Sequence, residues 1–389
     1  MNHILIVITS FRHGGTNKSL ENLLSLIDTE KYQVDVFALE HYGPYKEMLP
    51  NCTILPSSKW LNALIAHFGD TKGLGKVRSL LIKLLRIIGS KLKISVADRL
   101  YKNISNRLLK NKKYNAVIAY SEGAPTAFVS WITHPNKIAW VHCDYSSYME
   151  LNNHPDERNI YTSYKSIVCV SEYTKGEFCR ILPECEIKTF ALHNLLNDNK
   201  IKLLAEEEIT DKRFENKGFT IVSVGRIDKV KRFDLIPKIA SELKEKGCQF
   251  KWYLIGTKGF DSSQSIFDAN MSKYKVEDVF IWLGEKENPY PYFSNSDLLV
   301  ITSKSEACPY VLNEAKVLNV PSIITNFSSA SEFIDNDMNG VIVPVEKIGT
   351  KIEEIITNQD YYNRIKRNLL NCIYDNKAIL VNFYKIVSV

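Results

Sequence analysis

Short, continuous apolar runs recur along this 389-residue chain, and their spacing restricts the fold more than any single motif does. Ile4 to Ile8, Gln33 to Ala38, Ala116 to Tyr120, Lys137 to Val141, Ile167 to Val170 and Thr189 to Leu192 are mostly β-branched or apolar. Runs this short, without strict polar alternation, suit strands of a parallel sheet covered on both faces. Helix-like or polar segments separate them. After the first run comes a polar loop with Gly14 and Gly15, then Leu20, Leu23, Leu24 and Ile27 at helix spacing, with Thr16 or Asn17 as the expected cap.

From Phe219 the alternation restarts, with runs at Phe219 to Val224, Trp252 to Ile255, Val279 to Leu283, Leu298 to Ile301, Ser322 to Thr325 and Gly340 to Val343. A helix is expected over Asp234 to Lys246, with Asp234 as its cap so that Pro237 falls in the first turn. The intervening stretch turns polar and charged, includes Glu206-Glu207-Glu208 and carries no strand signal. The chain therefore reads as α/β, with two Rossmann-like, doubly wound domains in tandem. Their expected bounds are 1–196 and 219–370, joined by a linker over 197–218, with a terminal helix over 371–389 returning to the first domain.

Composition excludes several classes. Apolar residues are 45% and charged residues 24%, as in ordinary globular chains and unlike disordered or fibrous ones. The eight cysteines form no CxxC pair, so they read as buried thiols of a reducing compartment and not as a disulfide or zinc framework. Met1-Asn2-His3 leads directly into the first strand without a signal-peptide pattern, and no apolar run reaches the ~20 residues that span a bilayer. A cytoplasmic location is expected.

Two segments carry candidate chemistry. Gly225-Arg226-Ile227-Asp228-Lys229-Val230-Lys231-Arg232 leaves the first strand of the second half at its carboxyl end, where open α/β sheets bind ligands. Arg226 and Lys231 are able to converge there on one polyanion, such as a diphosphate; the plainer alternative is a solvated basic approach to a helix. Ser303 to Ala315 runs from another strand end into a helix whose start Pro309 marks, with Val311, Leu312, Ala315 and Leu318 as its expected buried stripe. Free backbone N–H groups of that helix's first turn, around Ala307 to Tyr310, would favour phosphate oxygens, which makes Ala307, Cys308, Pro309, Tyr310 and Val311 candidate donor contacts, Pro309 without an N–H of its own. Glu306 and Glu314 face one site only if Glu306 lies in the loop, because eight helical residues overshoot two turns by about 80°.

Glu306 and Glu314, with Asn288-Pro289, Asn295-Ser296-Asp297, Ser303, Pro321, Gly225-Arg226 and Lys231, resemble the retaining family 4 glycosyltransferases. The resemblance covers the second half strongly and the first half weakly. It implies the GT-B fold, two Rossmann-like domains facing across a cleft, and a donor that is a nucleotide-diphosphate sugar, a uridine one above all. It implies that Glu314 holds the donor ribose, that Glu306 lies by the sugar ring, and that Arg226 and Lys231 stabilise the leaving diphosphate. Gly14 and Gly15 would line the donor phosphate, and His142 would contact the donor sugar. His13 and Glu122 are the candidate acceptor contacts; a loop and cap is the alternative for Glu122, and a structural strand-end residue for His142. Val170-Ser171-Glu172 and His193-Asn194 also match, with structural capping as the alternative. Ala307 and Arg232 stand where many members have glycine.

The implied activity is retaining transfer, without a bound metal or cofactor, to a hydroxyl of a glycan or lipid-linked acceptor in surface polysaccharide synthesis, as in capsule or lipopolysaccharide. The alternatives are a polyol-phosphate transferase of similar build and a non-catalytic glycan-binding partner subunit. Between Lys59 and Lys113 fourteen Lys or Arg residues face only Asp70 and Asp98. Over 72–113 they alternate with apolar residues, which fits either a helix lying on an anionic membrane or a helix buried on the domain with a solvated basic rim. No nucleic-acid motif accompanies them.

Overall fold

Side chains alternate across a strand, so a strand that is apolar at every position must bury both faces. The second sheet shows this plainly. Ile221, Trp252, Leu254, Leu298, Val300 and Ile323 enter one core cluster, while their neighbours Val222, Tyr253, Ile255, Leu299, Ile301 and Ile324 enter another. The computed structural model describes residues 1–66, 73–91, 95–109, 112–152, 157–215, 218–259 and 262–388. Lys72, Lys93 and Lys110 of the basic region, and Asn216 and Lys217 of the expected linker, lie outside them.

The chain divides into two compact units, Met1–Leu195 with Asp375–Val389, and Leu196–Tyr374. The first holds seven parallel strands: β1 (Asn2–Ser10), β2 (Tyr32–Glu40), β3 (Thr53–Ile54), β4 (Ala116–Ala119), β5 (Lys137–Val141), β6 (Ser166–Cys169) and β7 (Thr189–Ala191), in the order β3-β2-β1-β4-β5-β6-β7. The second holds six: β8 (Phe219–Val224), β9 (Phe250–Ile255), β10 (Phe280–Gly284), β11 (Leu298–Ile301), β12 (Ser322–Thr325) and β13 (Val341–Val343), in the order β10-β9-β8-β11-β12-β13. Both sheets are doubly wound, and strand order reverses between β1 and β4 and between β8 and β11. Those reversals open the crevices in which such sheets take ligands.

Several local expectations are corrected. Edge strand β3 has two residues, too few to leave a sequence period. The segment 197–218 is not a linker: it belongs to the second unit and contains the helix Asp198–Leu204, capped by the Asn197 side chain. Leu196, Ile201, Leu204, Ile209 and Phe214 join the second unit's core, and Arg213 donates to the carbonyls of Trp282 at 3.2 Å and Leu283 at 2.8 Å. Arg213 thus ties the segment to β10, while Glu206, Glu207 and Glu208 stay exposed. Asp234 sits in a 3-10 turn and caps nothing; the helix begins at Ile236, which still places Pro237 in the first turn. The first helix, Gly15–Leu26, starts behind Gly14, and Asn17 Nδ2 instead donates to the carbonyls of Ser10 and Arg12. Of the thiols, Cys372 is exposed, whereas Cys169 and Cys185 are buried.

Candidate functional site

In the second unit the residues after β8 and β11 flank the strand-order reversal. Two glycines let the β8 and β9 ends approach: a Cβ on Gly256, at φ +148°, would stand 1.7 Å from the Gly225 carbonyl oxygen. Beyond them Asp228 folds the basic loop. Its Oδ1 accepts from the backbone N–H groups of Val230 at 3.0 Å and Lys231 at 2.9 Å, while Oδ2 pairs with the Arg226 guanidinium at 2.9 Å. Arg232 then adopts φ +52°, a left-handed conformation that explains why glycine suits this position, and its guanidinium donates to the carbonyls of Thr302 at 2.8 Å and Ser303 at 3.1 Å. Arg232 is therefore a brace between the two loops.

That brace brings Lys231 to Glu306. Lys231 Nζ donates to Glu306 Oε1 at 2.6 Å, and Ser303 Oγ donates to the same oxygen at 2.6 Å. Glu306 lies in the loop, outside the helix Tyr310–Val317, as a shared site with Glu314 requires. Ser329 Oγ holds the Glu306 carbonyl at 2.6 Å. Pro309 stands at the helix N-cap without a side-chain cap bond. Leu312 and Ala315 are buried as expected, whereas Val311 and Leu318 are half-buried. Ala307 is buried. Glu314 is buried too, and its carboxylate accepts from Tyr290 Oη at 2.8 Å. Arg226, Lys231, Glu306 and the start of the Tyr310–Val317 helix thus gather at the carboxyl ends of β8 and β11, an arrangement able to bind an anion.

In the first unit, Gly14-Gly15, Glu122 and His142 follow the neighbouring strands β1, β4 and β5. A Cβ on Gly14 or Gly15 would meet nothing within 4 Å, so open space lies before the Gly15–Leu26 helix. His142 packs by Tyr120 at 5.0 Å and Trp140 at 6.4 Å, and its Nε2 is buried and finds no hydrogen-bond partner among the described residues. Burial pushes its pKa down to about 3, so the ring is neutral at working pH. Glu122, taken from the sequence as an acceptor contact, turns its carboxylate to the His142 backbone N–H at 3.0 Å, and burial raises its pKa. Its short polar reach is spent positioning the β5 end. His13 packs edge-on against Tyr45 at 5.7 Å. Ser171 caps the helix Glu172–Ile181, and Asn194 accepts from Ser19 Oγ at 2.7 Å.

Asp228, Tyr290 and Gly256 escaped the sequence reading. An Asp two and three residues before the N–H groups it accepts is a local turn signal and was available in principle. Tyr290 and Gly256 act on partners brought near only by the sheet. No group of three or more His, Cys, Asp or Glu arranged to hold a metal ion occurs among the described residues.

Two doubly wound units of this kind make up the GT-B fold. HepE of Anabaena, solved in complex with UDP-glucose, aligns over 100% of both chains with a TM-score of 0.73 at 15% identity, a likeness that establishes the fold. Residues 205–370 match the family described as glycosyl transferases, group 1. An uncharacterized 41.2 kDa protein in the cps region of Klebsiella pneumoniae is 26% identical over 193 residues, 48% of this chain and 51% of that one. The capsular polysaccharide biosynthesis glycosyltransferase CapM of Staphylococcus aureus is 25% identical over 195 residues, 45% of this chain and 51% of its own. The chain spans about half the length of these relatives.

Proposed function

We propose that this chain is a retaining glycosyltransferase of family 4 type that moves a sugar from a UDP-sugar to a hydroxyl of a glycan or lipid-linked acceptor in surface polysaccharide synthesis. The carrying observation is the Lys231–Glu306 pair, 2.6 Å apart beside Arg226 and the start of the Tyr310–Val317 helix. In this reading Arg226, Lys231 and the helix N–H groups stabilise the charge growing on the departing diphosphate, so no metal is required. Glu314, oriented by Tyr290, holds the ribose hydroxyls. Glu306 lies against the sugar. The neutral His142 ring, whose buried Nε2 has no partner among the described residues, is assigned to a sugar hydroxyl, and Gly14 and Gly15 leave room for phosphate oxygens. The C1–O bond to the diphosphate breaks as the acceptor oxygen bonds to the same face of C1, and the acceptor proton passes to the departing phosphate oxygen.

The HepE complex with UDP-glucose supports the donor in this proposal, and CapM, a capsular polysaccharide biosynthesis glycosyltransferase by name, supports the pathway class. A cytoplasmic enzyme at the inner face of a membrane fits a lipid-linked acceptor; among the described residues no helix is long and apolar enough to cross one. The test is thermal unfolding with UDP, GDP and CDP, followed by donor turnover with UDP-sugars in chelator. At 100 times its dissociation constant a ligand adds ~2.7 kcal/mol. Protection by UDP and product of retained anomeric configuration are expected; no protection by any of the nucleotides sinks the proposal.

A further inference from the structure

The helix Leu74–Lys91 touches the first unit along a narrow line. Only Ser79, Ile82 and Gly89 are buried, and Ser79 Oγ donates to the Ala63 carbonyl at 3.2 Å. At ~100° per residue these three fall within a sector of about 80°. Eight apolar side chains between Leu74 and Ile88, Leu81, Leu84, Ile87 and Ile88 among them, are 44 to 73% exposed and form a stripe that covers about 160° of the remaining surface. The sequence alternative of a helix buried on the domain with a basic rim therefore fails: most of the apolar side chains look outward, beside the exposed Lys76, Lys83 and Lys91. Lys76 and Lys83 border the stripe on one side and Arg78 on the other, Lys91 lies within its last turn, and the helix has no acidic residue.

The apolar surface continues into a cavity of about 260 Å³ between this helix and Val96–Leu108, lined by Leu85, Ile88, Val96 and Leu100 with Arg99 among them. Monomeric soluble proteins rarely show so continuous a patch. Charge decides what covers it. A second copy would bring two basic borders together across a self-complementary interface, which like charges oppose. A bilayer with anionic headgroups complements both the stripe and its borders.

We propose that Leu74–Lys91 lies in the plane of an anionic bilayer interface, with Leu81, Leu84 and Ile88 at the acyl boundary and the flanking Lys and Arg side chains among the lipid phosphates. The assignment stands on these side chains and not on the transferase reading. The test is co-sedimentation of the full chain with phosphatidylglycerol/phosphatidylcholine vesicles and with phosphatidylcholine alone, at low and high salt. Binding to the anionic vesicles alone, reversed by salt, is expected. Leu84→Glu with Ile88→Glu should abolish it while leaving the melting temperature unchanged, since both side chains are exposed. Lys76→Gln with Lys83→Gln should weaken it about 30-fold, the equivalent of ~2 kcal/mol at ~1 kcal/mol per base. Equal binding to neutral vesicles, no binding to either, or binding unchanged by the glutamates overturns the proposal. A dimer that the glutamates dissociate, without vesicle binding, gives the face to a second copy and overturns it too.

Discussion

Glu306→Gln removes the carboxylate that holds the Lys231 ammonium while keeping an oxygen for Ser303. With charge centres ~4 Å apart and an effective dielectric of ~20, such a pair is worth ~4 kcal/mol before desolvation. Lys231 is 25% exposed and Glu306 13%, so solvent screening reduces this toward the ~1.5–3 kcal/mol of a charge-assisted hydrogen bond. A diphosphate approaching Lys231 has to displace that partner. Glu306→Gln is therefore expected to tighten UDP by about 10- to 100-fold while transfer falls, because in the proposed reaction Glu306 lies against the sugar. Lys231→Met should loosen UDP, and the double variant should bind like Lys231→Met alone, since Glu306 opposes binding only through Lys231. Titration calorimetry of the four proteins reads the cycle. UDP affinity unchanged in Glu306→Gln, or two effects that simply add in the double variant, refutes the competition.

Tyr290→Phe takes one donor from the buried Glu314 carboxylate, at a cost of ~1–3 kcal/mol in urea unfolding; a midpoint equal to wild type would show that the bond contributes nothing. Gly256→Ala drives a Cβ into the Gly225 carbonyl and should cost at least ~3 kcal/mol, a fall of about 6–12 °C in the melting of a unit this size. A melting temperature within a degree of wild type would mean that the β8 and β9 ends have room to part. His142 has a pKa of about 3 when folded, below its ordinary value, so between those limits the unfolded chain binds a proton that the folded chain does not. This group's contribution to stability is lost as pH falls below about 6.5, by at most ~1.4 kcal/mol per pH unit. Wild type should lose more stability than His142→Gln between neutral and mildly acidic pH, and parallel losses would refute the shift.

The strand runs, the two-unit α/β organisation and the helix start at Pro309 were all legible in the sequence. Each rests on a local property: whether apolar residues recur with period two or 3.6, and where proline interrupts the pattern. The loop position of Glu306 was readable in the same way, as a condition on the spacing to Glu314. The charged stretch 197–218 misled because its few apolar residues are spread among many charges, and only the surface they meet reveals them as core.

Pairings across the fold were beyond the sequence. Lys231 and Glu306 are 75 residues apart, and what joins them is the hydrogen-bonded neighbourhood of β8 and β11 with Arg232 bridging the two loops. Glu122 and His142 carried no mark of their mutual hydrogen bond, which depends on β4 and β5 being adjacent. The amphipathic pattern of 72–113 was plain, but not which side of Leu74–Lys91 would meet the domain. The sequence by itself determined which elements form, because backbone and side-chain periodicity are local. Only the tertiary structure decided which carboxylate meets which cation and which apolar face stays uncovered, because strand order and packing set those distances.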